Sequence, residues 1–213
     1  MGFEQFGWNI LTYTFVGTVA VNLIGFWGIW HQARTVYKKK SGKSVSVIMH
    51  AYTAAFMTAA AVYGIRVYGF HFPENALLVG MLRVPLFMAV LVLVRSYKGF
   101  SITEKMLMIL FVGIVMAEAL VDWYDWLFLA GCFGTWVCFA PQIWEIWKNG
   151  RGACDVKFLW VTVIAVLTWT LYSFALGDWV LKLTNPIFLV IVTSALVLWY
   201  VRGERNEEET TEK

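Results

Sequence analysis

The sequence predicts an all-α membrane protein of seven transmembrane helices. They form two three-helix bundles repeated in parallel and joined by a connector helix, a 3+1+3 layout. Three observations carry this prediction. The 213 residues are 60% hydrophobic and only 15% charged, with a mean hydropathy of +0.65. A soluble domain is roughly 45–50% apolar and about 25% charged, and its surface needs polar cover that this chain lacks. Apolar segments near the ~20 residues that cross a bilayer recur seven times between charge clusters. Finally, side chains recur at an offset close to 110 residues (Gln32 and Gln142, for example).

The segments are expected at about 8–31, 45–68, 75–94, 105–121, 125–147, 157–177 and 183–201. None alternates with period two, which argues against an outer-membrane barrel. Met1–Gln5 has no basic n-region or small-residue cleavage site, so the first segment is expected to be a retained helix. Basic residues follow segments 1, 3, 5 and 7: Arg34 to Lys43, then Arg95, Lys98 and Lys105, then Lys148, Arg151 and Lys157, then Arg202, Arg205 and Lys213. The opposite loops hold Lys182 with Glu74, Asp122, Asp125 and Asp178. This asymmetry predicts a multi-pass protein of the cytoplasmic (plasma) membrane, with its N-terminus outside and C-terminus in the cytoplasm. The acidic stretch from Glu204 reads as a solvated, disordered tail.

The repeat sets the domain plan. Gln32, Lys38, Gly42 and Asn75 match Gln142, Lys148, Gly152 and Asn185 at an offset of 110, and Tyr63 matches Tyr172 at 109. The expected units are 1–98 (first bundle), 99–124 (connector), 125–203 (second bundle) and 204–213 (tail). An odd connector leaves the two bundles in the same orientation, a parallel repeat.

Function classes narrow in the same way. No G-x-S-x-G, P-loop or H-E-x-x-H motif occurs, and the three histidines are scattered, so no enzyme activity, catalytic residue, metal or cofactor is predicted. Cys132, Cys138 and Cys154 are an odd number without ligand spacing, which gives neither a disulfide framework nor a zinc site. Nothing points to nucleic acid; the predicted partner is the lipid bilayer. Intramembrane charges are functional candidates because each costs a few kcal/mol at a helix centre. Here they are Arg66, Arg83 and Glu118. A structural Arg83–Glu118 or Arg66–Glu118 pair is one reading. Arg83 on an anionic substrate, or Glu118 relaying a proton, is the other. Asn185 precedes Pro186 and by itself reads as a helix N-cap.

Phe139 to Lys148, FAPQIWEIWK, resembles a PQ-loop motif, and Trp169-Thr-Leu-Tyr172 through Asp178 to Asn185 is similar to the end of a SWEET or SemiSWEET repeat. The first copy is looser, with His31-Gln32, Tyr63-Gly64 and Asn75. The resemblance to the PQ-loop/SWEET transporter superfamily covers roughly residues 15–95 and 127–203. It implies a carrier that moves a small polar solute, a sugar above all, by alternating access around a central site. It implies a substrate site at Asn75, Asn185 and Trp169, with Ala60 standing opposite Trp169 in the repeat register. Tyr63, Tyr172 and Asp178 would form an outer gate, and Gln32 and Pro141-Gln142 a hinge. The family's helix prolines are represented only by Pro141, with His31 at the equivalent first position, so the first bundle is expected to be stiffer. A proton-coupled amino-acid or organic-acid carrier and a non-transporting PQ-loop-like receptor are the alternatives. Two fused bundles enclose a site within one chain, and association into a homo-oligomer is compatible with that.

Overall fold

The computed structural model describes residues 7–43, 45–150 and 154–211, without the side chains of 118, 119, 149 and 203–211. All regular structure among these residues is helical. The helices are α1 (Ile10–Lys39), α2 (Val47–Tyr68), α3 (Leu77–Lys98), α4 (Ile102–Leu120), α5 (Tyr124–Asn149), α6 (Val156–Leu176) and α7 (Trp179–Thr211). A 3-10 turn at Met81–Arg83 interrupts α3.

Local chemistry sets most boundaries. Asn9, Ser46, Ser101 and Asp155 cap α1, α2, α4 and α6 by accepting backbone N–H bonds, and Ser101 with Glu104 completes a capping box. Helix α1 continues past the apolar segment through Arg34 and Lys39, and Lys40 ends it in a left-handed conformation. Basic residues suit a helix C-terminus.

Helix α7 departs most from expectation. It starts at Trp179, because Asp178 accepts the Leu181 N–H at 2.9 Å and so acts as the cap. Asn185 therefore lies inside the helix, and the N-cap reading of Asn185 is wrong. Pro186 is also a helix-interior proline. The predicted acidic tail continues the helix to Thr211; Arg and Glu are good helix formers, and the weaker Gly203 and Asn206 do not end it.

Six of these helices are long and apolar enough to cross a membrane. The exception is α4, which carries Glu104, Lys105 and Glu118. Large apolar side chains cover the outside of the molecule, and exposed Trp8, Trp123, Trp126 and Trp179 at one end face Trp27, Trp30, Trp144 and Trp147 toward the other. Such a surface suits lipid with tryptophan at both interfaces.

Helix α3 packs on both α1 and α2, and α7 packs on both α5 and α6. The two sets meet through α1 against α6 and α2 against α5, while α4 rests on α2 and touches α5. Both cross-contacts use glycine for close approach. A Cβ on Gly28 would stand 3.0 Å from Val161 Cβ, and one on Gly134 would collide with the Tyr52 hydroxyl.

Candidate functional site

At mid-height between the two sets of helices lies a cavity of about 130 Å³. An apolar cavity of about 150 Å³ accepts benzene, so the space is that of a single small ring. Its wall is largely apolar, with aromatic side chains such as Phe56, Phe128, Phe188 and Trp169, and its polar members include Asn185, Thr184, Trp136 and Arg83. The lining threonines donate their protons to their own helices, as Thr53 does to the Met49 carbonyl at 2.7 Å and Thr184 to Val180 at 2.8 Å. Their oxygens retain lone pairs toward the cavity.

Trp169, Asn185 and Ala60 meet at this cavity. The Asn185 amide donates to the Trp169 carbonyl at 3.3 Å, which ties α7 to α6 beside the space. Trp169 is also edge-on to Tyr172, with ring centroids 5.7 Å apart. Asn75 is placed differently. It is completely buried and absent from the cavity wall. Its amide donates to the Gly69 carbonyl, and Oδ1 packs on Gly64, where no Cβ would fit. The two asparagines are equivalent in sequence but not in surroundings: Asn75 closes the turn before α3, whereas Asn185 sits inside α7.

Above the cavity, at the end holding the α2–α3 and α6–α7 turns, phenols bridge the two sets of helices. Asp178, 9% exposed, accepts from Tyr63 at 3.1 Å and from Tyr68 at 2.5 Å on the same oxygen. Its other oxygen caps α7. In the opposite sense the Tyr172 hydroxyl of α6 sits between the carbonyls of Pro73 (2.7 Å) and Glu74 (2.5 Å) ahead of α3. Tyr68 was not among the predicted residues; its place on the last turn of α2, facing the Asp178 loop, was the available signal.

Below the cavity the two glutamines do the reciprocal job. Gln32 Oε1 accepts the Asp155 N–H at 2.9 Å, and Gln142 Oε1 accepts the Ser46 N–H at 3.0 Å. Each therefore holds the N-cap residue of the second helix in the other set. Thr35 adds a bond to the Asp155 carboxylate at 2.7 Å, and the Gln142 amide reaches Cys154 Sγ at 3.5 Å. Pro141 lies within the continuous helix α5. Ser46 and Asp155 escaped the sequence reading although they stand 109 residues apart, because a backbone N–H donated to a distant glutamine leaves no mark in a sequence beyond that of an ordinary capping residue.

The intramembrane charges separate. Arg66 donates to the Val121 carbonyl at 2.8 Å and lies 4.0 Å from Asp122. The side chain of Glu118 lies outside the described residues, and so does Gly152, one partner in the repeat. Arg83 is 6% exposed and lines the cavity; its Nε and Nη2 have no hydrogen-bond partner. Outside the spans, burial and secondarily the Asp155 carboxylate push the Cys154 thiol up to about 12. No cluster of metal-ligating residues occurs among the described residues.

Comparison with family models, with characterised proteins and with solved structures returns no match for this chain.

Proposed function

We propose that this chain is a carrier of the plasma membrane that moves a small polar solute by alternating access of two three-helix bundles around the central cavity. The N-terminus is outside, the C-terminus is cytoplasmic, and α4 is a seventh span that connects the bundles. One observation carries the reading: the cavity lies between two layers of bonds that join the two sets of helices. The Asp178 and Tyr172 contacts lie above it, and the Gln32 and Gln142 contacts below. Breaking one layer while keeping the other admits a solute from one side only.

The seventh span is supported by length and by surface. At 1.5 Å per residue, the 19 residues of α4 extend about 28 Å, close to the hydrocarbon thickness. Its charges lie toward its ends, and Met106, Ile109, Leu110, Val112 and Met116 between them are exposed apolar residues. In this reading the PQ-loop/SWEET resemblance corresponds to the pairing of each bundle's third helix with its first two, and the PQ glutamine acts as a latch between bundles rather than as part of a hinge.

The test is uptake by proteoliposomes of labelled monosaccharides, disaccharides and small organic acids. Saturable uptake of at least one solute, reduced by Asn185→Ala, is expected. Stoichiometric ligand binding without flux would instead identify a receptor.

A further inference from the structure

We infer that the central cavity is a carboxylate site, with Arg83 as the anion-binding group and a small monocarboxylate with a compact apolar body as the ligand. This inference rests on the carrier reading for the ligand's role as cargo. It rests on the cavity alone for binding.

The first ground is electrostatic. A guanidinium removed from water costs several kcal/mol unless it is paired and hydrogen-bonded. Arg83 is 6% exposed, and two of its three nitrogens are buried without an acceptor. No ion pair involves it among the described residues. It is also the one charged side chain among the described residues of the cavity wall. The wall thus presents an uncompensated positive charge and no carboxylate to attract a cation or the ammonium of an amino acid.

The second ground is steric. Arg83 is the last residue of the 3-10 turn of α3 and lies against Gly25 of α1, where a Cβ would stand 2.9 Å from Nη1 and 3.0 Å from Cδ. The glycine leaves room for the head group beside the cavity. A guanidinium fork matches a carboxylate in two parallel hydrogen bonds, and the buried Nε and Nη2 are the pair of donors on one edge of that fork.

The third ground is the rest of the wall. Trp136 lines the cavity with its indole N–H buried and unpaired, a second donor without an acceptor. The remaining surface is mainly apolar, with phenylalanines set among aliphatic side chains, and the volume is about 130 Å³, near that of a cavity that holds benzene. A ring or short branched chain fills the aromatic part while its carboxylate meets Arg83. A neutral sugar would leave the guanidinium without a counter-charge, and a disaccharide exceeds the space.

The experiment follows thermal unfolding of the purified full chain in detergent with sodium benzoate, with butyrate, with sodium chloride at matched ionic strength, and with glucose. Ligand binding to the folded state raises the melting temperature. Benzoate is expected to do so saturably beyond the chloride control, and glucose is not. Arg83→Gln is expected to weaken benzoate by about tenfold or more, since a hydrogen bond to a charged group contributes about 1.5–3 kcal/mol. Arg83→Lys is expected to fall between. Trp136→Phe removes the indole N–H while leaving an aromatic wall and is expected to cost about tenfold. It and Arg83→Lys carry the test if Arg83→Gln does not fold.

Equal stabilisation by chloride, a benzoate effect unchanged in these variants, or a glucose effect that survives Arg83→Gln would overturn the inference. Benzoate binding without flux into proteoliposomes would uphold the site and overturn the carrier reading. Flux of a neutral solute with no carboxylate binding would do the reverse.

Discussion

Asp178 joins three structural duties in one carboxylate: it caps α7, and it accepts the phenols of both Tyr63 and Tyr68. Hydrogen bonds to a charged acceptor each contribute about 1.5–3 kcal/mol, and a lost cap costs about 1 kcal/mol. Asp178→Ala is therefore expected to destabilise the chain by about 3 kcal/mol or more, and Tyr68→Phe by about half as much. Denaturation of the purified variants checks that ranking, and equal small effects would mean the Asp178 contacts contribute nothing. Cys154 makes a second residue-level prediction. Its thiol is held near 12 by burial and by Asp155, and the thiolate is the reactive form. Raising the pH from 7 to 9 should leave maleimide labelling of Cys154 slow, whereas an ordinary cysteine passes its pKa near 8.5 in that range. Because Gln142 reaches Cys154 Sγ, Gln142→Ala is expected to raise the labelling rate by loosening the contact with Ser46. Mass spectrometry of the labelled protein reads both effects.

Helix contacts repeat this logic with packing instead of charge. The Tyr52 hydroxyl donates to the Gly131 carbonyl at 2.5 Å and fills the space beside Gly134. Overpacking a tight contact costs about 1–3 kcal/mol, so Gly134→Ala should destabilise by about 2 kcal/mol. Tyr52→Phe removes the atom the new methyl would strike first, and a double-mutant cycle should show partial rescue; strict additivity would mean that the two residues do not share this space. Helix α4 gives a topological prediction at the same scale. Single cysteines placed at Gly99 and Asp122, with the native cysteines replaced, are expected to be labelled from opposite sides of sealed vesicles. Labelling of both from one side would remove α4 from the set of spans.

At the scale of the whole molecule, the helical architecture and six apolar spans were legible in hydropathy, because burial in lipid writes itself into long apolar runs. The start of α7 was not, since Asn185-Pro186 carries a convincing N-terminal signal while the true cap, Asp178, looks like any loop acid. Half of the candidate site was legible too. Trp169, Ala60 and Asn185 converge on the cavity, yet Asn75, equivalent by repeat offset, does not. A repeat offset relates positions in the chain, whereas side-chain surroundings depend on Gly64 and Gly69, which hold Asn75 in the α2–α3 turn. The reciprocal glutamine contacts join residues more than 90 positions apart and emerge only once the helices are assembled. Those contacts and their counterparts above the cavity make the central claim mechanical: the molecule carries a solute only if the two layers open alternately. The most direct measurement is flux into proteoliposomes by a Tyr68→Cys/Asp178→Cys variant with the three native cysteines replaced, before and after cross-linking with a short, reducible bis-methanethiosulfonate, since the two side chains meet through the full length of the phenol and a direct disulfide would be too short. The account predicts saturable flux of a small solute before cross-linking, loss of flux when the cross-link locks the Asp178 layer, and recovery on reduction. Flux unchanged by the lock would contradict it.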